Sequence, residues 1–234
     1  MRTYRTQGGP FREAYFLSPD EIENACCDAL KVAACLPTTP TAIDIETFAE
    51  KSWGLDYQDL GDGVLGCTMF GRKGVQKIII APSLAEGCEK AIERRLRSTI
   101  AHECGHALFH TSLFVTAMME QQQTAFGDWA NRAAPRVLCR EADIFPDGQR
   151  KYDRRWWEVQ ANMAIGPLLM PQKLAIAALL PMMEERGKMG TRQLREGSRD
   201  QAARHLADVF NVNPAVARIR IEVLCPLTEG QLLL

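Results

Sequence analysis

The sequence predicts an α+β fold: a small β-sheet beside long amphipathic helices, with a helical C-terminal part. Three observations predict it. Residues 64–70 and 75–80 are rich in β-branched and aromatic side chains, and Gly71-Arg72-Lys73-Gly74 joins them as a hairpin turn would. Residues 85–110 carry Ile92, Leu96, Ile100, Ala107 and Leu108 at helical spacing. Near the end, Phe210-Asn211-Val212-Asn213-Pro214 separates two helical runs, with Asn213 suited to an N-cap and Pro214 to a first turn.

Along the chain, residues 1–17 read as a flexible arm with no apolar stretch of the secretory kind. Ser18-Pro19-Asp20-Glu21 opens the first helix, with serine as cap, proline at the first helical position and Glu21 three residues on. That helix is expected to reach about residue 34 and to stop before Pro37. A second helix near 44–51 leads into Gly54-Leu55 and then the hairpin. Residues 111–155, marked by Pro135 and Pro146-Asp147-Gly148, are expected to hold one or two short helices and a mobile loop. A helix from about residue 155 ends at Leu169-Met170-Pro171, and another starts near Gln172. Residues 184–198, with three glycines and many charges, read as a linker. The organisation expected is therefore an arm (1–17), a main domain (18–183, with 111–155 as a long connecting region) and a helical hairpin (184–234).

The formal net charge of −1 gives no general pull toward nucleic acid or an anionic membrane. The most apolar region, 163–183, is broken by Pro167, Pro171 and Pro181, which argues against a membrane span. The 8 cysteines show no Cys-x-x-Cys spacing, so reduced thiols and a cytoplasmic location are expected.

The chemistry concentrates at His102-Glu103-Cys104-Gly105-His106. Histidines four apart on a helix lie about 40° apart around its axis, so both imidazoles can reach one ion. Glu103 then stands beside a water on that ion, the construction of a zinc peptidase site. A catalytic zinc needs a third protein ligand, and Glu120, Asp128, Glu141, Asp143, Asp147, Asp153 and Glu158 are available downstream. Glu158 is set apart because Ala161, Asn162 and Ile165 share its helical face. A carboxylate on such a face is costly to bury unless something positive meets it; a metal would resolve this, and so would Arg154 or Arg155. Glu103 is the candidate general base, and Gly105 the place where another element approaches the helix closely. Cys104, about 200° round from His102, should face the core. His110 and Asn162 are candidates for orienting a ligand or touching substrate, with packing as the plainer role for each.

RSTIAHECGHALFH followed by WEVQANMAIGPLLMP resembles the ImmA/IrrE metallo-endopeptidases. Glu158, Ala161, Asn162 and Leu168-Leu169-Met170-Pro171 match that family's second element position by position, although Cys104 stands where a larger aliphatic residue is common and the connection from His106 to Glu158 is long. The resemblance implies a zincin-like metallopeptidase fold of gluzincin type, with His102, His106 and Glu158 holding Zn2+ (Mn2+ being the alternative metal). It also implies cytoplasmic proteins of mobile elements and stress responses that cut a helix-turn-helix repressor or antitoxin and so regulate transcription.

Plainer roles are expected elsewhere. Trp156 and Trp157 read as core and cleft-wall residues. Cys139 reads as a buried structural cysteine, a thiolate blocking the zinc being the alternative. Tyr152 and His205 have the chemistry of oxyanion stabilisers but no placement. Arg204, Arg218 and Arg220 invite a DNA-binding reading of the tail. Against it, Ala202, Leu206, Val209, Val216 and Ile219 look like packing positions, which favours a structural or docking hairpin. The rival to the peptidase is a non-catalytic metal-binding regulator that holds a repressor or DNA through this tail.

Overall fold

The computed structural model of the protein describes residues 2–5, 11, 13–124, 136–140, 155–186 and 191–226. Strands β1 (Arg2–Arg5) and β2 (Glu13–Phe16) pair antiparallel within the stretch expected to be a flexible arm. The reason is apolar: Phe11 and Ala14 are buried and anchor the ribbon.

Helix α1 (Pro19–Val32) starts on the expected capping box. The Ser18 side chain accepts from the Glu21 amide at 3.3 Å, and the Glu21 carboxylate accepts from the Ser18 amide at 2.9 Å. Helix α2 (Ile45–Trp53) is capped by Asp44 and ends at Gly54, whose φ of +81° favours glycine. Strands β3 (Leu55–Tyr57), β4 (Val64–Gly71), β5 (Gly74–Ile80) and β6 (Arg136–Arg140) form one sheet in the order β3-β5-β4-β6. β3 runs parallel to β5, and the other pairs are antiparallel.

The helix expected over 85–110 is two pieces, α3 (Pro82–Ala85) and α4 (Lys90–Phe109). Gly87 lies in the break, and glycine is a poor helix former. Helix α5 (Thr111–Thr124) follows directly, so the connecting region opens with a fourteen-residue helix and later contributes strand β6. The mobile loop expected there lies outside the described residues. Helices α6 (Trp156–Leu169) and α7 (Gln172–Leu179) follow. The stretch read as a linker contains an antiparallel pair, β7 (Glu184–Arg186) and β8 (Thr191–Gln193). Helices α8 (Arg199–Val209) and α9 (Pro214–Leu224) are the last described elements, the second capped by Asn213.

One apolar cluster joins the elements, running from Ile22 through Phe48, Ile78, Ile100, Leu168 and Leu206 to Ile221. Burying each such side chain contributes about 1.5–3 kcal/mol, so α8 and α9 share the core of the sheet and α4. Arg97 adds a polar tie: its guanidinium donates to the carbonyls of Ile43 at 2.7 Å and Asn211 at 3.0 Å. Arg220 is buried, donates to Glu23 at 2.6 Å and to the Met170 carbonyl at 3.0 Å, and therefore offers nothing to a DNA surface. Ile219, expected to pack, is 56% exposed instead. Val216 and Arg220 occupy the inward face of α9, which turns Ile219 outward.

None of the eight cysteines is in a disulfide. Among the described residues, no single helix is long and apolar enough to cross a membrane.

Candidate metal centre

α4 and α6 cross at Gly105. A Cβ there would meet the Ala161 Cα at 2.9 Å and the Ala164 Cβ at 3.0 Å, so only glycine allows this approach. The crossing sets His102 and His106 on α4 against Glu158 on α6. His102 Nε2 and His106 Nε2 are 3.1 Å apart, and Glu158 Oε2 lies 3.3 and 3.4 Å from them. All three residues are buried, and among the described residues Glu158 Oε2 has hydrogen-bond geometry to no group. This cluster can hold a metal ion.

The fit follows from the distances. Nitrogen and oxygen ligands about 2.0–2.2 Å from a tetrahedral zinc stand about 3.3–3.5 Å from one another. The three edges of 3.1, 3.3 and 3.4 Å approach that spacing without rearrangement.

Protonation supports the same conclusion. Gln160 donates through Nε2 to the Tyr15 carbonyl at 2.6 Å, which turns its Oε1 toward His110 Nε2 at 3.1 Å. His110 therefore carries its proton on Nε2. Burial and the neighbouring His106 push its pKa down to about 3, so near neutral pH its Nδ1 is an acceptor. His106 Nδ1, 3.0 Å away, must be the donor, which leaves the His106 Nε2 lone pair facing the cluster. His102 Nδ1 likewise donates to Asn162 Oδ1 at 3.0 Å, so its Nε2 faces the same point when the ring is neutral. Two lone pairs and a carboxylate oxygen thus converge, an arrangement that repels itself unless a cation is present.

In the metal-free protein a proton partly fills this role. Burial works against a charged His102, yet Glu158 and Glu103 outweigh it and hold its pKa above the ordinary histidine value. Burial likewise opposes the Glu158 carboxylate, but the two imidazoles hold its pKa well below the usual range.

Glu103 is also buried and packs against the sheet. Thr68 Oγ1 on β4 donates to its Oε2 at 2.6 Å. Gly66, two residues before Thr68 and hence on the same face of β4, makes room for this carboxylate. A Cβ on Gly66 would lie 2.8 Å from Glu103 Oε1. Cys104 faces the apolar core, as expected from its position around α4, and burial pushes its thiol well above the ordinary value. Trp156 is buried with its ring centroid 5.7 Å from that of His110, and Trp157 lies 5.3 Å from Phe11, so both pack around the second tier of the site.

His205 is held elsewhere, 3.2 Å from the Ala178 carbonyl. Tyr152 and the candidate ligands Asp128, Glu141, Asp143, Asp147 and Asp153 lie outside the described residues, as does the side chain of Glu120. Thr68, Gly66 and Gln160 join the site without being part of any sequence motif. A signal existed for the last, since Gln160 is a second uncharged polar residue on an otherwise apolar helix.

No family model matches this chain, and no curated protein matches it.

Proposed function

We propose that the protein is a zincin-like, zinc-dependent endopeptidase in which His102, His106 and Glu158 hold the metal and Glu103 is the general base. The observation that carries this reading is the convergence, at tetrahedral spacing, of the Glu158 carboxylate on α6 with two imidazole Nε2 atoms on α4, the helix that also bears Glu103. Zinc bound there would supply Lewis acidity for attack of water on a peptide carbonyl. Glu103 takes a proton from the attacking water and returns it to the nitrogen as the C–N bond breaks. Thr68 fixes the carboxylate for this transfer through its hydrogen bond to Oε2. Gln160, His110 and Asn162 keep the imidazoles in the ligating tautomer. Manganese is the alternative metal.

The substrate class comes from the resemblance to the ImmA/IrrE metallo-endopeptidases: a helix-turn-helix repressor or antitoxin inside the cell. The test pairs the purified protein with a helix-turn-helix protein encoded beside it. Glu103→Gln is expected to keep stoichiometric zinc while cleavage falls by at least about 10²-fold, the usual worth of a general base. Undiminished cleavage in Glu103→Gln would overturn the assignment, and an unchanged regulatory output would favour the non-catalytic regulator.

A further inference from the structure

Cys139 is the one buried thiol that the described structure brings to the centre. Ligating atoms of His102, Glu103 and Cys139 all lie within 4.8 Å of one another. The sheet explains how. Cys139 on β6 stands directly opposite Gly66 on β4, and opposed residues of an antiparallel pair point to the same face. Gly66 and Thr68 occupy the face of β4 turned toward Glu103, so Cys139 shares it. Because Gly66 has no side chain, the thiol reaches across to the carboxylate and the imidazole. Cys67, next along β4, projects to the opposite face.

We propose that Cys139 supplies a fourth, removable ligand to the His102–His106–Glu158 centre, so that β6 holds the site closed. The proposal rests on the metal reading above. An imidazole nitrogen and a thiolate on one tetrahedral zinc stand about 3.5 Å apart, and the thiol lies within 4.8 Å of a His102 nitrogen, the ligand shared by both groups, so binding draws β6 toward His106 and Glu158. The thiol proton leaves as sulfur binds, and the Glu103 carboxylate is the adjacent acceptor. The strand is removable because, among the described residues, it is an edge: β6 pairs there with β4 alone, and detaching it leaves the other three strands of the sheet paired. It covers the β4 edge that passes Glu103, the place where an extended peptide would add to the sheet beside the base.

The full-length protein, stripped with a chelator and reloaded with cobalt(II), tests this. The wild type is expected to show thiolate-to-cobalt charge-transfer absorption in the near ultraviolet. Cys139→Ser should still take up one cobalt on the remaining three ligands, show shifted visible ligand-field bands and lose the charge-transfer band, whereas Cys67→Ser should retain it. Zinc-edge X-ray absorption of the wild type needs no variant and should show one sulfur neighbour at about 2.3 Å. A shell of nitrogen and oxygen alone, or a charge-transfer band that survives Cys139→Ser, overturns the proposal. Failure to bind cobalt at all removes the metal reading and this proposal with it; cobalt binding without sulfur removes only this one. Cleavage of the partner protein should rise at least tenfold in Cys139→Ser, and an unchanged rate with intact zinc overturns the closing role.

Discussion

Gly105→Ala is a substitution whose sign tests the architecture of the centre. In an exposed helix it would stabilise the protein by about 1 kcal/mol through helix propensity. Here the new methyl group would sit 2.9 Å from the Ala161 Cα, 3.0 Å from the Ala161 carbonyl oxygen and 3.0 Å from the Ala164 Cβ. None of these atoms is the flexible end of a side chain, so relief requires α4 and α6 to part by about half an ångström. Over-packing of this kind costs about 1–3 kcal/mol, which against the propensity gain leaves the variant destabilised by about 0–2 kcal/mol. The larger effect falls on the metal, because Glu158 lies on the displaced helix less than a turn before Ala161. Its 3.3 and 3.4 Å separations from the imidazoles would stretch past tetrahedral spacing. Zinc affinity should fall tenfold or more. Urea unfolding of the metal-free protein and competition against a chromophoric chelator measure the two effects. A variant more stable by about 1 kcal/mol with unchanged zinc affinity would refute the packing of α4 on α6 described above.

Two further outcomes are expected. Gln160→Leu breaks the chain that fixes the His110 and His106 protons and should weaken zinc binding by about 10–100-fold while leaving Glu103 in place; affinity within twofold of the wild type would show that the relay is not needed. Zinc uptake should also be linked to protons. His102, whose pKa is raised in the metal-free fold, contributes stability that is fully present below about pH 6.5 and is lost as pH rises through its folded value. Glu158, whose pKa is depressed, contributes stability that is present above about pH 4.5 and is lost as pH falls. Between those limits the metal-free site holds a proton that zinc must expel. Titration calorimetry near pH 6.5 in two buffers of different ionisation enthalpy should give different heats, and identical heats would sink the idea.

Some of this was readable in the residues and some was not. The capping box at Ser18 and Glu21 and the Asn213-Pro214 helix start are local signals, decided by side chains reaching their own backbone, and they appear where expected. The His102–His106 pair and Glu158 were readable because helical spacing fixes which side chains share a face. Gly66 and Thr68 are different, and for Cys139 the residues alone leave a structural and a zinc-blocking role both open. Their meaning depends on which strand lies over α4 and in what register, and strand pairing across distant segments leaves little trace in either strand alone. The β1–β2 ribbon is illegible in the residues for a similar reason: its short strands are held by Phe11 and Ala14 against rings of α5 and α6, a contact between segments far apart in sequence.

That ribbon is tied to the centre. The Tyr15 carbonyl is the last acceptor in the series running through Gln160 and His110 to His106. The basicity of one ligand is thus set by a backbone oxygen on β2, far from the motif in sequence. Lifting β2 from α6 would free the Gln160 amide to rotate, and with it the tautomer of His106. The opening residues of the chain therefore serve as a clasp on metal retention, and an account of the site that begins at His102 leaves out one of its fixed points.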